Sequence, residues 1–357
     1  NNDNYLKKFQ LFFFHRAPGG NYLQGVDIIK KIKSFGGKVI VDYDDHWNLD
    51  PSHGLYQTSK KNDIPYHTVS IIKEADLVTV STHLLQKEVL KYNKNCVVLA
   101  NAVNPNELQF KPQPSESDRL RFGWLGGSSH LHDLYLLDGL VNKLDNISDK
   151  LQYVLCVFDT RGTVTEINSE TKEQTTRPIK PHETVWYMFE NIFTNNHKLI
   201  SPEYKIFLDK FKEEDDSKFS NEFYRRVWTR PVQSYAKNYT KFDVSLAPLK
   251  NHIFNQVKSQ LKVIEAGFYK KALIASNLGP YTIDLTHSLN NGNFVDGNAL
   301  LVDEKRNHSD WFKYVKKLID NPSWAEDLGE RLYETVKERY DLNIVTHTRA
   351  QFYKSLI

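Results

Sequence analysis

Apolar runs of strand length alternate with segments that carry apolar residues at helical spacing, and this alternation constrains the fold more than any other feature. The first four runs are LFFFH (11–15), KVIVDYDD (38–45), DLVTVST (76–82) and CVVLANAV (96–103). The connections between them are too long for hairpins, so successive strands should run parallel. The pattern predicts an α/β protein built on doubly wound parallel sheets, with LFFFH buried on both faces.

The alternation stops at a polar stretch with three prolines, 104–118, and then restarts. The later strand-like runs are RLRFGWLG (119–126), LQYVLCVF (151–158), FDVSLAPL (242–249) and KALIAS (271–276). A chain of 357 residues is long enough for two domains joined at such a stretch. We predict a first domain over 1–110 and a second over 111–342. A helical insertion at about 160–226, including a helix that starts at Ser201-Pro202, interrupts the second domain.

Charge and composition exclude several classes of protein. The chain has 47 basic and 44 acidic side chains, a formal charge of +3. This excess of basic residues is too small to make nucleic-acid binding the leading hypothesis. No run approaches the ~18 apolar residues of a membrane span. Cys96 and Cys156 each lie in an apolar run, which argues against a disulfide framework and for a reducing compartment. We expect a cytoplasmic protein, and peripheral contact with the inner membrane face stays open.

Ligands of open parallel sheets bind beyond the carboxyl ends of the strands, so polar residues that follow strands are the candidates for function. Asp42, Asp44, Asp45 and His46 end the run at 38–45. Repulsion among three carboxylates would raise the pKa of one of them toward the range of a general base. Two alternatives are a metal site with oxygen ligands and a turn in which the aspartates bond their own backbone.

Two more clusters follow predicted strands. His15 and Arg16 end the first run, and Arg16 is suited either to clamp an acceptor or phosphate group or to form a structural salt bridge. The segment GGSSH (126–130) ends the first strand of the second domain. Its glycines would let the backbone approach a ligand, and the helix that follows would favour an anion. A plain tight turn is the alternative.

The segment FNQVKSQLKVIEAG (254–267) carries the strongest signal. In a continuous helix, Lys258, Lys262 and Glu265 would share one face over ~10 Å, about the distance from the diphosphate to the ribose of a nucleotide sugar. The lysines and the helix N-terminus would hold the diphosphate, and the carboxylate would accept hydrogen bonds from the ribose hydroxyls. The alternative is a solvated Lys–Glu helix face.

Several other chemistries lack their motifs in this sequence. It has no P-loop, no H-E-x-x-H zinc motif, no C-x-x-C pair and no G-x-S-x-G elbow. The dinucleotide fingerprint G-x-G-x-x-G is also missing, which argues against a dehydrogenase.

At these segments the sequence resembles the GT-B glycosyltransferases, in particular the family 4-like and group 1 types. The resemblance covers both halves of the chain. In the first half it depends on VDYDDHWN (41–48), EADLVTVSTHLL (74–85) and VVLANAVN (97–104), and in the second on FGWLGGSSHLHDL (122–134) and on three blocks between 243 and 281. It implies two Rossmann-like domains that face a cleft, with the last helix, 343–357, crossing back to the first domain.

The resemblance also implies roles for individual residues. The donor would be a nucleoside diphosphate sugar, the acceptor a glycan or a lipid-linked sugar, and no metal or other cofactor would be needed. Donor contacts would come from Gly126, Gly127, Ser128, Lys258, Ser259 and Lys262 at the diphosphate and from Glu265 at the ribose. Candidates for acceptor activation or contact with the reacting sugar are Asp44, Asp45 and His130, with His15 and Arg16 on the acceptor side.

Two departures from the family pattern keep other functions open. Many relatives carry a second glutamate eight residues before the ribose-binding one, where this chain has Val257, so retention of configuration is favoured by the family but not by the motif. Relatives also begin with an earlier strand and glycine-rich loop, so the first domain is expected to lack its first strand–helix unit. The alternatives are a GT-B nucleotide-sugar epimerase and a degenerate, non-catalytic glycan-binding module.

Overall fold

The computed structural model describes residues 2–111, 117–159, 161–167, 171–194 and 223–356. The first part holds a parallel sheet of four strands in sequential order. These strands are β1 (Leu11–His15), β2 (Lys38–Tyr43), β3 (Leu77–Val80) and β4 (Cys96–Val98). The helices of this part are α1 (Asn2–Leu6), α2 (Gly25–Ser34), α3 (Tyr56–Lys61), α4 (Ile64–Glu74) and α5 (His83–Val89).

The second part holds a parallel sheet of six strands and two small hairpins. Its strands are β5 (Leu120–Leu125), β6 (Leu151–Phe158), β7 (Thr163–Ile167), β8 (Gln174–Pro178), β9 (Tyr224–Trp228), β10 (Val244–Ala247), β11 (Ala272–Ser276), β12 (Leu289–Asn290), β13 (Asn293–Phe294) and β14 (Leu300–Val302). Its helices are α6 (Leu131–Leu134), α7 (Leu140–Lys143), α8 (Val185–Phe193), α9 (Ile253–Val257), α10 (Leu261–Phe268), α11 (Asn307–Asp320), α12 (Ser323–Val336) and α13 (Leu342–Lys354).

The strand order of the large sheet, β14-β11-β10-β5-β6-β9, reverses direction between β5 and β10. This reversal is the topological switch point of a doubly wound sheet, where two loops diverge and leave a crevice. Segments 126–130 and 248–252 follow β5 and β10, so they flank that crevice. The predicted α/β class with parallel sheets is confirmed, and the switch point shows where a ligand fits.

The prediction that LFFFH is buried on both faces is wrong. β1 is an edge strand, and Phe13 is 49% exposed. The ring of Phe13 lies 5.9 Å from that of Tyr353 on α13, so the last helix covers part of this strand. An apolar edge strand covered from outside looks the same in sequence as a strand inside a sheet.

The segment after the glycine loop is a chain of short turns rather than the long helix that its apolar spacing predicts. α6 and α7 have four residues each, and they are separated by Gly139 at φ +75°. A left-handed residue ends an α-helix, and glycine adopts that conformation without a steric penalty. Leu134, Leu137 and Leu144 are still buried, so the apolar pattern reports packing correctly but not continuity.

The range predicted as an insertion, 160–226, contains more than helix in its described residues. β7 and β8 pair as an antiparallel hairpin, α8 packs Phe189 and Phe193 into the core, and β9 pairs with β6 as an edge strand of the large sheet. The predicted helix that starts at Ser201-Pro202 lies outside the described residues. The domain boundaries at 110 and 342 remain predictions.

Contacts tie the two parts together at several places. Arg349 on α13 donates to the carbonyl oxygens of Leu99 and Ala100, at 3.3 and 3.0 Å. The side chain of Thr82, at the start of α5, donates to the carbonyl oxygen of Val257 at 2.8 Å. Helix α13 therefore contacts the first part of the chain after β4 and, through Tyr353, at β1. None of the described helices is both long and apolar enough to span a bilayer.

Candidate active site between the two sheets

A cavity of about 380 Å³ lies between the two parts of the chain, beyond the carboxyl ends of their strands. We call its lining from residues 16–68, which includes Arg16, Asp45, His46 and His53 together with aromatic and aliphatic side chains, the first wall. The second wall consists of Ser129, His130, Phe254 and Lys258. A cleft lined by both halves, with few polar groups among apolar ones, is typical of a ligand site.

Arg16 organises the charges of the first wall. It follows β1 with a left-handed backbone, φ +64°, and its carbonyl oxygen accepts a hydrogen bond from Tyr43 Oη at 2.6 Å. Its guanidinium donates to Asp44 Oδ1 at 2.9 Å and to Asp45 Oδ2 at 2.7 Å. One cation between two carboxylates relieves the repulsion that the sequence predicts, so repulsion no longer supports Asp44 or Asp45 as a general base. The structural salt bridge proposed as the alternative for Arg16 is present.

The other charged residues of this cluster are farther from the cavity. His15 is more than half exposed and lies 3.6 Å from Asp42 and 4.0 Å from Asp44. Asp42 Oδ1 accepts a hydrogen bond from the hydroxyl of Thr79. Among the described residues, no group of three or more His, Cys, Asp or Glu side chains is arranged to hold a metal ion. His15, Asp42 and Asp44 do not line the cavity.

His130 is the polar centre of the second wall. Its Nδ1 lies 2.7 Å from Oδ2 of the fully buried Asp133, one helical turn later. Burial lowers the pKa of His130 to about 4; the hydrogen bond to Asp133 opposes this shift, and Lys258 and Lys262 add to it. The imidazole is therefore neutral at physiological pH.

The glycine loop after β5 is packed tightly on one side and open on the other. A Cβ on Gly126 would meet Trp124 Cζ2 at 2.6 Å and Lys262 Nζ at 2.7 Å, whereas a Cβ on Gly127 would meet no described atom within 4 Å. Ser128 begins a short 3₁₀ turn that ends at His130. Only a glycine fits at position 126 without displacing its neighbours.

Lys262 supports this loop from behind and does not line the cavity, contrary to its predicted place at the diphosphate. Its Nζ donates to the carbonyl oxygen of Leu125 and lies 4.9 Å from the centre of the Trp124 ring. Burial lowers the pKa of Lys262 to about 8. The residue therefore acts on the site through the position of the loop.

The predicted single helix over Lys258, Lys262 and Glu265 is interrupted. α9 ends at Val257, Lys258 has an extended backbone with ψ 175°, and α10 starts at Leu261. The other half of the chain holds this break, since Thr82 donates to the carbonyl oxygen of Val257 and Asn101 Nδ2 donates to Ser259 Oγ at 2.9 Å. Lys258, Lys262 and Glu265 therefore do not share one helix face, and Ser259 is hydrogen-bonded to the first part of the chain.

Lys258 reaches the cavity because of this break. Its Nζ lies 5.2 Å from the centre of the Phe254 ring, and no carboxylate of the described residues lies within ion-pair distance of it. A half-buried lysine without a counter-ion, beside the start of α10, makes this corner of the cavity attractive to an anion. The prediction of Lys258 as an anion ligand thus has a geometric basis, although not the predicted one.

Glu265 lies on α10, is 4% exposed and does not line the cavity. Tyr235 and Tyr239, from a 3₁₀ helix at Tyr235–Lys241, donate to its two carboxylate oxygens, Tyr239 at 3.0 Å. Burial raises the pKa of Glu265, and the two tyrosine hydroxyls oppose the shift. The tyrosines hold the position in which the sequence predicts ribose hydroxyls as donors.

Sequence reasoning missed Asp133, Lys250 and Asp50. The backbone amide of Lys250 donates to Asp133 Oδ1 at 2.8 Å, and its Nζ lies 3.2 Å from Asp50 Oδ1 in the first part. Donors that include Ser52 and Lys250 hold the pKa of Asp50 below its usual range, although burial acts to raise it. Lys250 lies three residues beyond the end of β10, and Asp133 lies one helical turn after His130, so both spacings are visible in the sequence.

Several solved structures share this architecture. HepE from Anabaena, solved with UDP and glucose, superposes with a TM-score of 0.63 at 10% sequence identity, over 99% of this chain and 80% of that chain. A glycosyltransferase from Rickettsia africae gives a TM-score of 0.59 at 13% identity, over 99% and 79%. A trehalose-6-phosphate synthase gives 0.59 at 11% identity, over 97% and 74%.

The chain has the GT-B fold. No family model matches the sequence, and no curated protein matches it either. Structural similarity alone therefore confirms the expected fold. The sequence identities to these proteins are too low to assign roles to individual residues. In the GT-B architecture the cleft lies between the two sheets, where this chain has its cavity.

Proposed function

We propose that the chain is a glycosyltransferase that moves a sugar from a nucleoside diphosphate sugar to a glycan or lipid-linked acceptor, without a metal ion and with retention at the anomeric carbon. The observation that carries the proposal is Lys258, a cation without a carboxylate partner among the described residues, inside the cleft of a GT-B fold. HepE has been solved with UDP-glucose, and the trehalose-6-phosphate synthase transfers a sugar with retention. The first finding supports the class of donor, and the second supports retention at the anomeric carbon.

In the proposed reaction the bond between the anomeric carbon and the diphosphate oxygen breaks, the oxygen of the acceptor hydroxyl bonds to that carbon, and the hydroxyl proton passes to the departing diphosphate. The departing diphosphate gains negative charge, which Lys258 and the backbone amides of the 126–128 loop would stabilise. The cation takes the part that a divalent metal plays in other transferases. Apolar side chains around it strengthen this attraction, because they exclude water from the site.

The remaining roles follow from where the side chains lie. His130 faces the space between the two walls and is our candidate for contact with the reacting hydroxyls. Arg16 and Asp45 line the first wall, which we assign to the acceptor. Glu265 would bind the ribose of the nucleotide if a ribose hydroxyl replaced the Tyr235 hydroxyl as the hydrogen-bond donor to its carboxylate, or donated to it as well. Ser259 and Lys262 would act by holding the segments on either side of the diphosphate.

Calorimetric titration tests the donor site directly. We expect UDP, GDP or ADP, and a matching nucleotide sugar, to bind the wild-type protein, and Lys258→Ala to weaken binding by about 10- to 100-fold. That loss corresponds to one charge-assisted hydrogen bond of about 1.5–3 kcal/mol. The exposed Lys94→Ala is the matched control and should bind like the wild type. Absence of binding to every nucleotide, or equal binding by Lys258→Ala, would overturn the assignment.

One observation favours a different outcome for the same cleft. Val257, at the position where many relatives carry a glutamate, is buried in the core of the first part. A protein that lost this carboxylate could bind a nucleotide sugar or a glycan without turnover. Incubation with the bound donor separates the cases: transfer to an added acceptor supports the proposal, an altered free donor indicates an epimerase, and an unchanged donor indicates a binding module.

A further inference from the structure

Asp133 is a buried carboxylate whose two oxygens are both occupied. The side chain has no exposed surface; Oδ1 accepts from the Lys250 amide and from Asn255 Nδ2, each at 2.8 Å, and Oδ2 faces His130 Nδ1 at 2.7 Å. Burial acts to raise the pKa of Asp133, but the hydrogen bond from His130 and the other donors hold it below the usual range. The carboxylate is therefore ionised and can only accept.

This arrangement decides the tautomer of His130. Because Asp133 cannot donate, the proton of the neutral ring sits on Nδ1, and Nε2 keeps its lone pair. No described residue forms a hydrogen bond with Nε2, and His130 lines the cavity. Asp133 does not line the cavity, so Nδ1 faces the carboxylate behind the wall and Nε2 is left on the side of the cavity.

We propose that Asp133 is a positioning residue for His130: it fixes the Nδ1–H tautomer and presents Nε2 to the cavity as a hydrogen-bond acceptor for a substrate hydroxyl. The inference rests on the proposed function for the identity of that hydroxyl, but not for the state of the ring. A hydroxyl of the acceptor or of the donor sugar is the chemical partner, since both carry O–H donors and the diphosphate carries none.

The surroundings keep His130 neutral over the range in which the test is done. Burial lowers the pKa of His130 most, Lys258 and Lys262 in the α9–α10 segment lower it further, and Asp133 raises it. On the same short segment, the His132 ring lies 6.5 Å from that of His130, and from the first wall the His53 ring lies 5.7 Å from that of His132. If His130 were protonated, Nε2 would carry a proton and could no longer accept a hydrogen bond, so protonation removes the proposed contact.

Nitrogen NMR of the full chain labelled with ¹⁵N-histidine reads the tautomer without any substrate. At pH 7 we expect the His130 signals, assigned from their loss in His130→Gln, to show a protonated Nδ1 and an unprotonated Nε2. This state should persist to pH 5.5. Protonation on Nε2 in the wild type, or a mixture of tautomers, would overturn the proposal without bearing on donor binding.

Turnover of the bound donor tests the consequence. Asp133→Asn should mix the two tautomers and lower kcat for donor turnover by about 10-fold, with the dissociation constant for the nucleotide unchanged, since the loss of one hydrogen bond has an effect of this size. In the His130→Gln background, Asp133→Asn should cost nothing more. Additive losses would mean that Asp133 acts only as a support for the 250–255 loop. Failure of the wild type to bind any nucleotide would sink the proposed function and leave the tautomer result standing.

Discussion

The two walls of the cavity hold their charges in opposite ways. In the first wall, Arg16 is 40% exposed and forms salt bridges with two partly exposed carboxylates, Asp44 and Asp45, so one negative charge is left over. In the second wall, His130 is paired with the buried carboxylate of Asp133 behind it, and Lys258 lacks a carboxylate partner among the described residues. A cluster with a surplus carboxylate repels an anion, whereas a cation without a carboxylate partner among the described residues attracts one. The comparison teaches that the wall with fewer charges is the better candidate for the donor diphosphate.

The largest effect that we expect concerns acid sensitivity, to which one histidine in each wall contributes. Burial lowers the pKa of His46, as of His130, from 6.5 to about 4. The unfolded chain therefore binds more protons between these values, and stability falls as the pH drops from 6.5 toward 4. Between pH 7 and pH 5 each histidine should cost about 2 kcal/mol of unfolding free energy.

Urea denaturation at pH 7 and pH 5 measures this cost. His46→Gln and His130→Gln should each flatten the difference between the two pH values, because glutamine does not titrate. His308→Gln, at an exposed position, is the control and should keep the wild-type difference. If only one of the two variants flattens it, burial does not lower the pKa of the other histidine as expected, and the prediction is wrong for that wall.

A smaller effect separates two adjacent glycines of the second wall's loop. Gly126→Ala forces its Cβ against Trp124 and Lys262, and overpacking of this kind costs about 1–3 kcal/mol. Gly127→Ala points into open space among the described residues and should stay within about 0.5 kcal/mol of the wild type. Thermal unfolding of both variants checks this, and equal losses would show that the loop is not wedged on Lys262.

The smallest effect belongs to the salt bridge of the first wall. Arg16→Gln should cost about 0.2–1 kcal/mol of stability, since its partners are partly exposed, and the loss should shrink in 1 M salt. Nucleotide affinity should not change, in contrast to Lys258→Ala. Thermal unfolding at two salt concentrations, followed by titration with the nucleotide, measures both. A loss of nucleotide affinity in Arg16→Gln would remove the distinction between the walls.

Several parts of the site could be predicted because they depend on local pattern. Ser129 and His130, in the loop after β5, lie where the strand-end rule expects polar residues, and both line the cavity. Lys258 also lines the cavity, but it follows helix α9 and not a strand. Asp133 and Lys250 obey the same rule and could have been included. The long helix expected after the loop failed because Gly139 breaks it, a possibility that apolar spacing does not register.

By itself, the sequence determined the class of fold, the alternation that builds most of the two sheets and the loops that bear polar residues, since these follow from short-range periodicity. Tertiary structure alone decided how the side chains are used. The break at Lys258 depends on Thr82, which is 175 residues from Val257 in sequence, and on Asn101, which is 158 residues from Ser259. Arg16 likewise meets its carboxylates 28 and 29 residues later. Contacts at such separations are made by folding, so no local pattern encodes which group becomes neutralised, buried or left facing the cleft.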